Sequence, residues 1–140
     1  MMADVHTKEQ RSLNMSRIKG RDTKPEVRLR SLLHRAGYRF RLHANKLPGR
    51  PDIVMPKHRA VIFVNGCFWH RHNGCRFTTT PATRPEFWQN KFEGTIERDA
   101  RNRELLENAG WRVITVWECD LKSFPDRTLN EITEQLREPH

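Results

Sequence analysis

Residues 51–64 read Pro51-Asp52-Ile53-Val54-Met55-Pro56-Lys57-His58-Arg59-Ala60-Val61-Ile62-Phe63-Val64. Two short apolar runs flank a Pro-led turn, so the stretch reads as a hairpin with strands at 52–55 and 60–64. The second run is apolar at every position. A strand apolar on both faces belongs in the middle of a sheet that is covered on both sides. Upstream, Thr23-Lys24-Pro25-Glu26 has the form of a capping box with Pro in the first turn. Val27, Leu29, Leu32, Leu33 and Ala36 continue it as a helical stripe that Gly37 ends. Residues 38–42 alternate like a strand, and 43–50 form a loop with turn chemistry at Pro48-Gly49. Downstream, 65–80 is irregular and rich in His, Cys and Gly. A long helix is expected over 85–109, weakened at Gly94 and closed by Gly110. A β-branched strand follows over 111–116. An amphipathic helix over 125–137 carries Leu129, Ile132 and Leu136 on one face. The order α-β-β-β-α-β-α predicts an α/β sandwich with a mixed sheet.

The chain has 140 residues, so residues 23–140 are expected to form one domain. Residues 1–22, with Arg17 and Lys19, read as a basic arm with some helix. Lys and Arg number 26 against 17 Asp and Glu, a net charge of +9. That excess points to a polyanionic partner, nucleic acid before anionic membrane. No basic amphipathic helix has a convincing apolar face for a membrane surface. No apolar run approaches the roughly 20 residues of a membrane span. The first ten residues lack the apolar segment of a secretory signal. An odd count of three cysteines then suggests thiols or a metal site in a reducing compartment, with a cytoplasmic location expected.

Four constellations bear chemistry. Cys67, His72 and Cys75 follow the spacing C-x4-H-x2-C, with Cys119 far downstream after a strand. A Cys3His set suits tetrahedral zinc and uses all three cysteines; the plain alternative is three buried or free thiols. His70, two residues before His72, stays available for catalysis. Asp52 opens a strand and Glu26 lies on an upstream helix, a pattern resembling a nuclease metal site in which carboxylates hold Mg2+. Equally, Asp52 reads as a strand-edge Asp and Glu26 as a helix cap. Phe68-Trp69 and Phe87-Trp88 lie in polar surroundings, suited to stacking on or wedging between bases. Core packing is the bland alternative, and it is the reading adopted for Trp111 and Trp117. On the long helix, Asp99 or Glu97 is placed to orient a catalytic His, and spacing alone does not choose between them.

Taken in order, Asn14-Met15-Ser16-Arg17-Ile18, Asp22-Thr23-Lys24-Pro25-Glu26 and Gly49-Arg50-Pro51-Asp52-Ile53-Val54 carry a resemblance. So do Val64-Asn65-Gly66-Cys67-Phe68-Trp69-His70, Pro81-Ala82-Thr83-Arg84, Phe87-Trp88 and Val116-Trp117-Glu118-Cys119. Together, from about Arg11 to Leu121, they resemble the very short patch repair (Vsr) family of DNA mismatch endonucleases. The resemblance implies a restriction-endonuclease-like α/β core with a structural zinc. It implies Mg2+-dependent nicking of one strand on the 5′ side of the thymine in a T·G mismatch. Carried over by position, Asp52 matches the main metal-binding carboxylate, His70 the general base, Asp99 its supporting carboxylate and Glu26 a further active-site acid. Cys67, His72, Cys75 and Cys119 match the zinc ligands. Phe68, Trp69 and Trp88 match aromatics that wedge beside the mismatch, and the arm with Arg17 and Lys19 matches a DNA-clasping segment.

Some positions depart from the family pattern. Val64 stands where some members have Thr, leaving only its backbone carbonyl for Mg2+. Asn65 replaces a His, and Asn73-Gly74 lengthens the gap before Cys75 by one residue. No acid-x-Lys pair occupies residues 61–64, unlike a conventional restriction enzyme. The expected partners are mismatched duplex DNA and mismatch-repair proteins, for a monomer associated with the bacterial nucleoid. The competing functions are a restriction-type duplex cutter of the same fold and a non-catalytic zinc-stabilised DNA-binding module.

Overall fold

The computed structural model describes residues 23–42, 44, 46–75, 78, 79 and 81–138. The arm at 1–22, with Arg17 and Lys19, lies outside the described residues. Helix α1 (Lys24–Arg35) starts with Pro25 in its first turn and gives way at Ala36 to Gly37, whose φ of +89° only glycine adopts readily. The capping box is met in position and not in bonding. Thr23 has the extended backbone of an N-cap, but its hydroxyl makes no cap bond. Glu26 instead lies on the buried face with Leu29 and Leu33, at spacings of three and four residues. Val27 and Ala36, expected in the apolar stripe, are exposed.

Strands β1 (Arg41–Leu42), β2 (Ile53–Met55), β3 (Ala60–Asn65) and β4 (Arg112–Trp117) form one mixed sheet in that order. The first three pair antiparallel, while β3 and β4 are parallel in the register Val64↔Val116. The expected hairpin is present, its turn a 3-10 segment at Pro56–His58. β3 is internal, as its two-faced apolarity requires. β1 is shorter than the stretch 38–42 because Tyr38 and Phe40 pack onto the core instead of pairing.

Alternation along the strands separates two cores. On one face, Ile53, Met55, Ala60, Ile62, Ile114 and Val116 meet Leu29 and Leu33 of α1. Leu121 of α3 (Glu118–Ser123) and Ile132 and Leu136 of α4 (Pro125–Arg137) close this layer. On the other face, Val54, Val61 and Val113 meet Leu106 of α2 (Pro85–Asn108). Trp111 is partly buried at this second core, with the Arg59 guanidinium 4.4 Å above its ring. The architecture is therefore α/β, a mixed four-stranded sheet between helices. No helix among the described residues is long and apolar enough to cross a membrane.

α2 crosses over from β3 to the parallel β4. It has 24 residues and buries only Phe92 and Leu106, so it is anchored at two points. α3 is an addition to the sequence reading; it begins where β4 ends and presents Cys119 in its first turn. Every non-glycine residue with positive φ among the described residues is an arginine: Arg50, Arg59, Arg71 and Arg84.

Candidate active site and metal centre

Asp52 enters β2 with its N–H donating to the Ile62 carbonyl at 3.0 Å. Its carboxylate accepts the Val64 N–H at 2.7 Å. Adjacent β3 therefore fixes both ends of the residue. Glu26, 6% exposed, comes from α1 and pairs with Arg30 at 3.5 Å. Burial, foremost, pushes the Asp52 carboxyl up to about 7. The Val64 N–H works against that rise; the nearby Glu26 charge and its hydrogen bond to Asp52 add to it. Two acids pressed together away from water form a site that a divalent cation would relieve, and their hard oxygen donors suit such an ion.

His70 lies in the segment after β3, its N–H donating to the Gly66 carbonyl at 3.2 Å. Its ring Nδ1 is 2.6 Å from Oδ2 of Asp99, near the middle of α2. The choice between Asp99 and Glu97 is settled in position: Asp99 meets the ring. Glu26, Asp52, Val64, His70 and Asp99 line a single cleft of about 430 Å3. The four acid and base residues singled out in the sequence, and the Val64 backbone, are thus brought together.

Arg50 and Asn102, to which the sequence reading assigned no role, also line the cleft. Gly49 carries the one available signal. Its φ is +74°, and a Cβ there would lie 3.0 Å from Nδ2 of Asn102. The loop leading to Asp52 can lie this close to α2 only because position 49 is glycine.

Cys67, His72, Cys75 and Cys119 converge, their ligand atoms all within 4.8 Å of one another. Nδ1 of His72 is the atom that faces Cys119, at 3.3 Å from its Sγ. Burial, foremost, raises the thiols of Cys67 and Cys119, and their crowding with Cys75 carries Cys119 to about 12. Three thiols held this close ionise together only around a cation, so the donor set fits a metal ion. Gly74, at φ +72°, turns the chain just before Cys75. Thr78 Oγ1 donates to the carbonyls of His72, at 2.7 Å, and Cys67, at 3.3 Å. Trp117 departs from its core assignment. Its ring is only partly buried and stacks on His72, centroids 4.2 Å apart and planes 9° apart.

Phe68, Trp69 and Trp88 also meet. Phe68 packs edge-on to Trp69 at 5.2 Å and to Trp88 at 5.8 Å. The sequence did not single out Phe92, which is buried beneath them and 5.2 Å from Phe68. The layer has an anchored base and an open edge, since Trp69 and Phe87 are 39% and 38% exposed.

The comparisons with known proteins agree with this geometry. Residues 3–76 match the family model described as DNA mismatch endonuclease Vsr. The chain is 50% identical over 137 residues to the DNA mismatch endonuclease Vsr of Escherichia coli (strain K12), covering 98% of this chain and 87% of that one. It is 48% identical to the type II nicking enzyme V.XorIIP of Xanthomonas oryzae pv. oryzae, covering 88% of this chain and 90% of the relative. The type II nicking enzyme V.NmeAIP of Neisseria meningitidis serogroup A is 37% identical, covering 98% and 99%. With a mixed sheet between helices, a Cys3His cluster and similarity over nearly its whole length, the chain belongs to the Vsr family of restriction-endonuclease-like DNA mismatch endonucleases.

Proposed function

We propose that the protein nicks one strand of duplex DNA on the 5′ side of the thymine in a T·G mismatch, by Mg2+-dependent hydrolysis, and so initiates very short patch repair. The observation that carries this reading is the His70–Asp99 contact of 2.6 Å in the same cleft as the Asp52–Glu26 acid pair. Asp52, with Glu26 beside it and the Val64 carbonyl, would hold the ion. N–H and C=O of a strand residue leave on the same side, and the Val64 N–H points at Asp52. Bound Mg2+ supplies charge stabilisation at the phosphate and the leaving oxygen.

His70 is the general base. With Nδ1–H donated to Asp99, Nε2 is left as the acceptor, and the carboxylate stabilises the imidazolium that forms. Nε2 takes a proton from water as the water oxygen bonds to phosphorus. The P–O3′ bond breaks and the leaving O3′ takes a proton from solvent water, giving a 3′-hydroxyl and a 5′-phosphate. Phe68, Trp69 and Trp88 wedge into the stack, at a cost of a few kcal/mol that a mismatch lowers. Cys67, His72, Cys75 and Cys119 hold a structural Zn2+, for which a closed set of S and N donors is suited. The arm at 1–22, with Arg17 and Lys19, clasps the duplex, and residues 23–140 form the endonuclease domain. The setting is nucleoid DNA in the bacterial cytoplasm, with the protein acting as a monomer and mismatch-repair proteins as partners.

Nicking of duplexes carrying every mismatch, with and without Mg2+, tests this reading. Cleavage confined to T·G and dependent on Mg2+ is expected. Asp52→Ala is expected to abolish nicking while T·G binding remains. Unchanged nicking by that variant overturns the assignment of the site. Equal cutting of matched duplex would mark a restriction-type enzyme, and tight binding without product a DNA-binding module.

A further inference from the structure

The segment between β3 and α2 carries His70, Phe68, Trp69 and three of the four Cys3His residues, with no helix or strand among its described residues. Arg71 holds a left-handed backbone there, at φ +53°. That conformation disfavours a non-glycine residue, so the side chain is the reason to look for a role. Nη1 donates to the carbonyls of Thr79, at 2.9 Å, and Phe68, at 3.3 Å. The guanidinium lies 3.9 Å over the Phe92 ring and 5.7 Å from that of Phe68. Phe92 is buried on α2, seven residues before Asp99. Seven residues are two turns, so both lie on one helix face about 10 Å apart. The segment and α2 are thus joined at Arg71–Phe92 and at His70–Asp99, beside the ring contacts of Phe68 with Phe92 and Trp88. The turn at Arg71 also separates the two neighbouring histidines, His70 toward Asp99 and His72 toward Cys119.

We propose that Arg71 is a positioning residue that seats this segment on α2, fixing the His70–Asp99 contact and the aromatic layer in one geometry. The proposal rests on the reading of His70 as the base and of the aromatics as the wedge. A planar guanidinium stacks and donates at once, which a lysine ammonium does not. Arg71 therefore couples mismatch opening to proton transfer through its hold on the segment.

The experiment measures first-turnover nicking of T·G and matched duplexes by the full chain carrying Arg71→Ala, Arg71→Lys, Asp99→Ala or both alanine changes. Arg71→Ala is expected to slow T·G nicking by about 10- to 100-fold, the scale of a small misplacement of a catalytic group. Metal content and DNA affinity should hold, and preference for T·G should fall. Arg71→Lys should rescue little. In the Asp99→Ala background the same Arg71 change should cause a smaller further loss, the part carried by the aromatic layer. An equal loss in both backgrounds, a wild-type rate in Arg71→Ala, or full rescue by Lys overturns the proposal. If Arg71→Ala does not fold, Phe92→Leu keeps the apolar volume and removes the ring. The same loss is expected of that variant, and a wild-type rate overturns the proposal. His70→Ala separates the two readings. Wild-type nicking by it defeats the role of His70, whereas its inactivity alongside normal Arg71→Ala defeats only the role of Arg71.

Discussion

Asp52 is held in an environment that favours its neutral form. Its carboxyl rises from 3.8 to about 7, so the folded chain binds this proton more tightly than the unfolded chain does. That contribution to stability is complete below about pH 3.8 and is lost as pH rises through about 7. A shift of this size corresponds to at most about 4 kcal/mol, which partial exposure reduces to about 2 kcal/mol. Asp52→Asn stays neutral and still accepts from Val64. Without added Mg2+ it is expected to be more stable than the parent at pH 8 by about 2 kcal/mol and equal near pH 4. Urea unfolding at the two pH values checks this, and a less stable variant at pH 8 would contradict the cause given for the shift. Trp117 is a second residue whose role is local. Its ring braces His72 face to face, so Trp117→Ala is expected to speed metal loss to a chelator by about tenfold, read with a metal-sensitive dye.

Among the elements, α2 depends on few contacts for its length. Leu106 is its buried anchor on the second core, and Leu106→Ala is expected to destabilise by about 2–5 kcal/mol. Leu105, half exposed beside it, should tolerate Ala within about 0.5 kcal/mol. Thermal or denaturant unfolding distinguishes the two. The loop before β2 meets α2 at Gly49, where alanine adds both a strained φ and a clash with Asn102. Gly49→Ala is expected to lose about 1–3 kcal/mol, and adding Asn102→Ala should recover only the part due to the clash. These elements also show what a sequence reveals. β3 was legible because burial on both faces leaves an unbroken apolar run. The ends of α2 and α4 were legible because Pro and Gly mark them chemically. α3 was not, since six residues are too few to display a period. Glu26 read equally as a cap and as a site acid because its neighbour, Asp52, comes from a strand that only the folded sheet brings near. Phe92 was hidden in a helix whose exposed faces dilute any stripe.

For the molecule as a whole, the Cys3His cluster joins the segment after β3 to α3, across the parallel β3–β4 pair. Stripping its metal is expected to lower the melting temperature and to abolish nicking, and adding Mg2+ alone should not restore it. Recovery of nicking with Mg2+ alone would show that His70 keeps its place without the cluster. A net charge of +9 should also make DNA affinity fall steeply with salt on matched and mismatched duplexes alike. The position of Cys119 has a consequence in time. Synthesis delivers Glu26, Asp52, His70 and Asp99 first, and β4 and Cys119 only afterwards. Pairing strands that are distant in sequence is a late step of folding. A nascent chain that already holds every acid and base of the cleft therefore lacks the strand and the thiol that set them. A chain interrupted before Cys119 is therefore expected to leave a T·G duplex uncut, which a nicking assay of residues 1–118 checks.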